Sequence, residues 1–343
     1  KYSLLIFLSI GMIYSSNVKA QSALNLKAYG VWSRGDIKFD PDDPNYDYLL
    51  GMSAEDTKWS ALQPTDSLSY DWSAIQNSID VAAERNSKIY IGIGPGPESP
   101  LWIYENGVPK VYTIESGETT HDKWPFYPFY LDPDYKRFFL NFIEELGNFI
   151  FNQPPEKFKT IAFLQVKTGC TGDEVAYKGD VIDPQYELPK SGTLWSDFRL
   201  MVFEKYREVF LTGEKKVPLL FNAIDPEAYP TEWNWLITKI GDGFGVKQGA
   251  LVRGHHLSNE RIVVESWNPY LVNPKGLALF SRSEMDQTWK KPLYQINVEL
   301  GFYWGVLNGL NQGLSVWDLS SSALKFAGEN NSVQNSLRFF NKY

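Results

Sequence analysis

The chain has 343 residues, which is enough for one large domain or two of ordinary size. Its net charge of −8 provides no basic stripe that could neutralise phosphates, and this argues against nucleic acid as the main partner. Aromatic residues make up 15% of the chain, and those crowded into loops favour a surface that stacks on flat ligands such as sugar rings.

The first twenty residues have the pattern of a signal peptide. Lys1 gives a positive start, residues 3–13 are mostly apolar, and Val18-Lys-Ala20 has the small residues of a signal-peptidase site. The apolar run is too short to favour a membrane span. We therefore expect cleavage after Ala20 and export of the mature chain, residues 21–343, to the periplasm or the exterior.

Metal and disulfide chemistry finds little support in the sequence. Cys170 is the only cysteine, so no intramolecular disulfide is possible and thiolate metal sites are excluded. His255 and His256 are adjacent, and neighbouring residues of a strand point to opposite faces, so the pair is poorly placed to hold one ion. We expect no catalytic metal and no cofactor. We expect a hydrogen-bonding or sulfate-contacting role for one of the two histidines, and assign His255 to the ligand site.

Strand-like and helix-like segments alternate along the mature chain. The strand-like segments are residues 24–31, 48–52, 88–93, 160–166, 217–222, 246–252, 276–281 and 313–317. Apolar residues recur at helical spacing between several of them, for example from Phe138 to Phe149 after Asp134 as a plausible N-cap. Eight such units predict an α/β fold, a (β/α)8 TIM barrel with enlarged βα loops.

The alternative fold is an open, doubly wound sheet, which the sequence supports less well. Such sheets commonly carry a glycine-rich phosphate loop, and Gly94-Pro-Gly-Pro97 has the wrong spacing for one. We therefore expect a single catalytic-type barrel over residues 21–343. The chain ends soon after the eighth strand, and the sequence leaves open a further C-terminal domain.

In such a barrel, functional residues lie at the carboxyl ends of the strands. The residues that follow each predicted strand therefore predict the pocket. We expect these side chains to bind a ligand: Trp32, Arg34, Trp102, Trp124, Tyr127, Lys167, Asp173, Tyr177, Asn222, Arg253, His255, Arg282 and Trp317.

Two glutamates, 110 residues apart, each close a strand-like run. Glu174 follows the fourth predicted strand, and Glu284 follows the seventh. Two carboxylic acids at strand ends are what cleavage of a glycosidic bond requires, one as proton donor and one as nucleophile or base. Glu265 and Asp286 are rivals, since Ile-Val-Val-Glu265 would itself be a strand end if the sixth strand lay there.

Cations gather at the same predicted edge, where Lys167, Arg253 and Arg282 each follow a strand. Arginine and lysine bind sulfate and carboxylate groups through charge-assisted hydrogen bonds, which favours an anionic ligand. The alternative is that these cations pair with the carboxylates of the pocket itself. The sequence leaves both interpretations open.

Residues 59–102 carry a resemblance to a known family. Trp59-Ser-Ala-Leu-Gln-Pro64, Tyr70-Asp-Trp72, Lys88-Ile-Tyr-Ile-Gly-Ile93 and Pro100-Leu-Trp102 resemble the second and third units of clan A glycoside hydrolases. Family 42-type β-galactosidases and related agarases and carrageenan-degrading enzymes are the nearest members. The resemblance covers most of the mature chain in architecture, and only residues 59–102 at the level of motifs.

The resemblance implies a retaining hydrolase that acts on a β-linked galactan, with Glu174 as acid/base, Glu284 as nucleophile and Trp317 as a sugar platform. One position departs from the family pattern, because clan members usually have Asn directly before the acid/base and this chain has Asp173. An ionised Asp only accepts hydrogen bonds, which puts the usual contact to the sugar 2-hydroxyl in doubt.

Three other functions remain open. The chain could be a non-catalytic glycan-binding protein on a degenerate barrel, an inverting or transglycosylating enzyme, or a glycosidase for another β-linked polysaccharide. The sequence does not predict the oligomeric state.

Overall fold

Eight parallel strands close into a barrel in the computed structural model, which describes residues 29–35, 37–55, 57–114, 126–170, 175–189, 192–222, 229–241, 244–248, 280–285 and 298–342. The strands are, in chain order, β1 (Gly30–Arg34), β2 (Leu49–Ser53), β3 (Lys88–Ile91), β4 (Lys110–Val111), β5 (Tyr127–Pro128), β6 (Ile161–Val166), β7 (Leu219–Asn222), β8 (Gly245–Gln248), β9 (Phe280–Met285) and β10 (Val316–Ser320). The barrel order is β1-β10-β9-β8-β7-β6-β3-β2, and β4 pairs with β5 outside it. This confirms the predicted (β/α)8 barrel.

Helices lie between several of the barrel strands and after the last one. They are α1 (Trp59–Leu62), α2 (Ser73–Glu84), α3 (Trp102–Glu105), α4 (Pro133–Phe151), α5 (Pro155–Phe158), α6 (Thr193–Leu211), α7 (Pro230–Trp235), α8 (Val298–Gln312), α9 (Ser321–Gly328) and α10 (Asn331–Lys342). No helix among the described residues is both long and apolar enough for a membrane span.

The chain divides into two compact units. The terminal unit contains β1, β2 up to Met52 and the described residues from Leu236 onwards, and the middle unit is Ser53–Trp235. Each is described below by itself.

The core of the terminal unit lies between the outer faces of β1 and β10 and the last three helices. Trp317 and Leu319 of β10 pack there with Phe302 of α8, Leu324 of α9 and Phe340 of α10. The ring of Trp317 lies 5.7 Å from that of Phe340 and 6.4 Å from that of Phe302. Burying each large apolar side chain contributes about 1.5–3 kcal/mol, so this layer holds the helices on the strands.

Large aromatic rings on β1 and β9 lie against glycines of the neighbouring strands. A β-carbon at Gly51 would lie 2.5 Å from the ring of Trp32, and one at Gly245 would lie 2.3 Å from the ring of Phe280. Both distances are far below van der Waals contact, so glycine is required on the neighbouring strand for each ring to fit.

The core of the middle unit is built around Trp59 of α1. Its ring lies within 6.4 Å of the rings of Trp102, Tyr135, Phe139 and Phe142, which belong to α3 and α4, the helices between β3 and β6 in the chain. Aromatic pairs at these separations add about 0.5–1.5 kcal/mol each beyond the burial of their area.

The start of α4 differs from the sequence prediction by two residues. Asp132, and not Asp134, is the N-cap, since its carboxylate accepts from the backbone N–H groups of Asp134 and Tyr135. Pro133 then begins the helix, where its fixed φ and missing N–H cost nothing.

Three strands extend further along the chain than their sequence patterns indicate. β1 ends at Arg34, β9 at Met285 and β10 at Ser320, whereas the predicted segments end at residues 31, 281 and 317. The last residues of these strands include polar and charged side chains, several of them buried. In sequence, such residues resemble the transition from a strand to a loop. Glu284 therefore lies inside its strand, one residue from the end.

Candidate active site

Strand register brings five charged side chains together on one face of the terminal unit. Trp317 packs against helices, so its neighbour Asp318 points to the barrel interior. Asp318 is paired in register with Glu284 on β9, and Arg282 is paired with Lys247 on β8. Paired residues of parallel strands project from the same face. Arg34, at the carboxyl end of β1, contacts the same group, and we call these five residues the charge cluster.

Glu284 has a cation on each of its two carboxylate oxygens. Arg34 Nη1 donates to Oε2 at 2.7 Å, and Lys247 Nζ lies 2.7 Å from Oε1. Arg282 Nη1 approaches Oε1 at 3.4 Å, a weaker contact. The carboxylate is thus fixed in position by side chains from three strands.

Arg282 links Glu284 to Asp318. Its Nε donates to Asp318 Oδ2 at 3.1 Å, and its Nη2 donates to the same oxygen. Both side chains of this pair are almost wholly buried, with exposures of 2% and 0%. A buried charge is stable only when it is paired, and Asp318 supplies the negative charge that allows Arg282 to be buried next to Glu284.

The charge cluster keeps Glu284 ionised. Burial alone would raise the pKa of Glu284, but the positive charges of Lys247, Arg282 and Arg34 together outweigh burial and hold the pKa well below the ordinary carboxyl value. The carboxylate still keeps 18% of its side-chain surface open, and Arg34 keeps 33%. An ionised, positioned and accessible carboxylate has the properties of a nucleophile or of a ligand for a cationic transition state.

Arg34, Arg282 and Glu284 are thus three predicted site residues that the structure brings into contact. Trp32, also predicted, lies in register with Asp318 on the same face and is buried below the cluster against Gly51. Its ring is therefore not presented to solvent.

Trp317 does not lie where a sugar ring could stack on it. The alternation of β10 places its side chain on the outer face, where it is fully buried against Phe302 and Phe340. The sequence pattern that favoured it, an aromatic at the end of the eighth strand, did not resolve which face it occupies. Asp318, one residue on, takes the inward position.

Three aromatic residues predicted for the site are buried in the middle unit. Trp102 donates its indole N–H to the backbone carbonyl of Gln63 and packs against Phe138. Tyr127 and Tyr177 pack edge to face, and the hydroxyl of Tyr127 lies 3.7 Å from the thiol of Cys170. These side chains pack in the core of the segments that follow β3 and β6. None of their described contacts places them on a ligand-binding surface.

Two further predicted residues lie on one face of β6 and β7. Gln165 of β6 donates to the side-chain carbonyl of Asn222 at 3.1 Å. A β-carbon at Gly92 would lie 3.2 Å from the side chain of Lys167, which is half-buried. Asn222 and Lys167 are thus polar groups at the carboxyl ends of their strands, as predicted.

The remaining predicted residues lie outside the described part of the chain. They are Glu174, Asp173, Trp124, Arg253 and His255, together with the rivals Glu265 and Asp286. Their roles stay predictions. Within the described ranges, His, Cys, Asp and Glu side chains form no group of three suited to a metal ion.

Lys247 and Asp318 complete the charge cluster. The sequence places Asp318 at the end of the eighth predicted strand, while the sequence analysis gave Lys247 no role. A signal for both exists in the sequence, since each is a single charge within a strand-like run, Asp318 between Trp317 and Leu319 and Lys247 after Val246. A charge in that position of a barrel strand is costly unless it points inward to a partner. Pairing the charges of neighbouring strands in register would have identified them.

Comparison with known proteins identifies the fold of the chain but no family. No protein-family model matches the chain, and curated protein sequences give no match. Among solved structures, a β-galactosidase from the psychrophilic Marinomonas ef1 superimposes with a TM-score of 0.56 at 11% identity, over 91% of this chain and 59% of that one. A cold-adapted β-galactosidase from Rahnella sp. R3 gives 0.52 at 12%, over 92% and 56%.

The catalytic domain of a β-amylase from Paenibacillus polymyxa gives a TM-score of 0.53 at 10% identity, over 91% of this chain and 97% of that one. The chain thus spans little more than half the length of the two β-galactosidases. At such low identity, these similarities show that the barrel fold is shared.

Proposed function

We propose that the chain is a retaining glycoside hydrolase that cleaves β-galactosidic linkages in an anionic, agar- or carrageenan-type galactan. The observation that carries the proposal is Glu284, an ionised carboxylate fixed by three cations near the carboxyl end of its strand and still open to solvent. That edge is where barrel enzymes hold their catalytic groups. β-Galactosidases and a β-amylase among the solved structures with this fold support the reaction class.

In the proposed mechanism, Glu284 attacks the anomeric carbon while Glu174, in its protonated form, donates to the departing glycosidic oxygen. Water then hydrolyses the glycosyl-enzyme, with Glu174 as the base. This double displacement requires the two carboxyl groups to lie ~5–5.5 Å apart, whereas an inverting enzyme requires ~6.5–9.5 Å. The anomer released first, observed by NMR, therefore tests the mechanism separately from the activity.

The charge cluster supports an anionic substrate. Among the described residues, Arg34, Lys247 and Arg282 gather three cations around Glu284, at a partly open position of a chain whose net charge is −8. Arginine and lysine bind a sulfate ester or a carboxylate through charge-assisted hydrogen bonds, so this group of cations favours an anionic substrate. The predicted cations Arg253 and Lys167 would add to it.

One observation favours a second candidate, a non-catalytic glycan-binding protein. Both oxygens of Glu284 are engaged by cations, an arrangement that also suits a purely structural ion cluster. For either candidate, the predicted signal peptide leads us to propose that the protein acts outside the cytoplasm.

The test is hydrolysis of neutral and sulfated β-galactans by the wild type, Glu284→Gln and Glu174→Gln. Each substitution should lower kcat by several powers of ten, because it removes a nucleophile or an acid while leaving the shape of the side chain. Glu156→Gln is the matched control, since Glu156 is exposed on α5 before the amino end of β6. Its activity should equal that of the wild type.

Two results would contradict the proposal. Full activity in either variant would show that another carboxylate carries the reaction. Binding of a galactan by the wild type with no cleavage would instead favour the glycan-binding candidate.

A further inference from the structure

Glu98, in the loop after β3, places its carboxylate against the main chain of Gly94. A β-carbon at Gly94 would overlap Oε2 of Glu98, and the three nearest atoms that it would meet all belong to the side chain of Glu98. Glycine at this position therefore makes room for the carboxylate. The carboxylate thus occupies the place of a side chain at residue 94, just beyond the carboxyl end of β3.

This place lies on the inner face of the strands of the middle unit. Phe221 of β7 packs against α6, so the next residue, Asn222, points inward, and Gln165 of β6 donates to it. A β-carbon at Gly92 would lie 3.0 Å from Cβ of Gln165, so Gly92 shares that face. Gly94 continues the extended segment with a β-bridge, and residues two apart in such a segment project to the same side. The carboxylate that takes the place of a side chain at Gly94 therefore faces the barrel interior.

The loop that carries Glu98 is fixed to the start of α1. The backbone N–H of Trp59 donates to the carbonyl of Gly94 at 3.1 Å. The N–H of Ser60 donates to the carbonyl of Glu98 at 2.8 Å. Two prolines between the two acceptor residues restrict the backbone further. The main chain therefore holds the carboxylate in position without an ion pair of its own.

The carboxylate of Glu98 is half-buried, and no donor among the residues that the structure describes contacts it. Removing a charge from water without giving it a partner costs free energy. Proteins keep such a cost mainly at functional sites, where a ligand supplies the missing donors. Its position on the inner face at the carboxyl end of a strand is where barrel proteins bind their ligands.

The chemistry of a carboxylate limits which ligand can supply these donors. An ionised carboxylate only accepts hydrogen bonds, and its two oxygens match two neighbouring hydroxyl groups of a sugar ring. A sulfate ester at either hydroxyl would remove the donor and add a negative charge, which the carboxylate repels. The sugar residue at Glu98 must then be unsubstituted at both positions, and the anionic groups of the chain must lie elsewhere.

We propose that Glu98 is a specificity-determining residue, which binds two adjacent hydroxyl groups of an unsulfated sugar residue of the glycan and excludes a sulfated one. The proposal rests on the proposed function, because it takes a galactan as the ligand. It assigns selection of a neutral sugar residue to the middle unit, whereas the charge cluster, which favours an anionic substituent, lies in the terminal unit.

The test is calorimetry of the wild type and Glu98→Gln with a thio-linked galacto-oligosaccharide, which resists hydrolysis, and with its fully sulfated counterpart. Glu98→Gln should bind the unsulfated oligosaccharide about 10- to 100-fold more weakly, the effect of losing hydrogen bonds to a charged group. It should bind the sulfated counterpart about fivefold more tightly, because a repulsion between like charges is removed.

Gly94→Ala tests the position of the carboxylate and keeps the carboxyl group itself. The new β-carbon would push the end of the flexible Glu98 side chain away from the inner face. Binding of the unsulfated oligosaccharide should weaken about as much as in Glu98→Gln. In the Glu98→Ala background the same substitution should cause no further loss, since the two residues act as one unit.

Glu105→Gln is the matched control, because Glu105 is an exposed carboxylate of α3 in the same segment of the chain. Its affinities should equal those of the wild type. Equal binding by Glu98→Gln and the wild type would overturn the inference, and so would a loss by the same factor for both oligosaccharides, which indicates a structural role. The proposed function would stand in either case.

If the wild type binds neither oligosaccharide, the galactan of the proposed function is wrong. Thio-linked xylo- and gluco-oligosaccharides then decide the inference by themselves. Binding that weakens at least tenfold in Glu98→Gln would support a hydroxyl-binding carboxylate for another glycan. Equal binding, or none, would remove it.

Discussion

At Glu284, desolvation and charge act on one carboxyl group in opposite directions. Burial favours the protonated form, and Lys247, Arg282 and Arg34 favour the ionised form by more. A depressed pKa in the folded state stabilises the protein above the ordinary carboxyl value near 4.3, and that contribution is lost as the pH falls through the depressed value. Glu284 in the wild type therefore stays ionised throughout the mildly acidic range.

Lys247→Met should move the acid limb of the kcat/KM profile to higher pH. Removal of the nearest positive charge raises the pKa of Glu284, and we expect a displacement of about one pH unit or more. The measurement is kcat/KM between pH 3 and 8. Lys205→Met, which breaks a surface pair with Glu144, should leave the limb unchanged. An unmoved limb in Lys247→Met would mean that another group controls it.

At the scale of elements, the buried ion pair between Arg282 of β9 and Asp318 of β10 is the contact of the charge cluster whose loss should destabilise the fold most. Asp318→Asn removes the buried carboxylate that Arg282 contacts most closely, and breaking a buried ion pair costs about 3–5 kcal/mol in the free energy of unfolding. Asp134→Asn breaks an exposed pair with Arg137 and should cost under about 1 kcal/mol. Urea unfolding of both variants compares the costs, and similar values would show that the Arg282–Asp318 pair is not stabilising.

The strands also show why the sequence located some site residues and not others. Glu284 and Arg34 were predicted from their position beside apolar runs, although both lie within strands and not after them. Trp317 was assigned to the site because the sequence did not reveal which face of β10 it occupies. Lys247 received no role because its partner lies 37 residues away on β9, and only the register joins them.

At the scale of the whole molecule, the barrel could be predicted because eight strand-like apolar runs, several of them separated by helix-like segments, indicate eight strands even where the strand ends are misplaced. The aromatic residues were harder to assign. Trp102, Tyr127 and Tyr177 occur in long segments between barrel elements, where exposed and buried aromatics look alike in sequence. Their burial follows from packing against residues distant in the chain, such as Phe138 for Trp102.

The three cations of the charge cluster predict a particular dependence of activity on ionic strength. A chain with a net charge of −8 repels an anionic polymer at long range, while Arg34 and Lys247 attract it at contact. Added salt screens the long-range term first, since the Debye length falls to about 8 Å at 0.15 M, and the partly buried contacts are screened less. Moderate salt should therefore raise kcat/KM for a sulfated polymer and leave that for a neutral one unchanged. A steady fall of kcat/KM for the sulfated polymer with rising salt would show that attraction dominates at every distance. The charge of the cluster, and not that of the whole chain, would then govern encounter with the substrate.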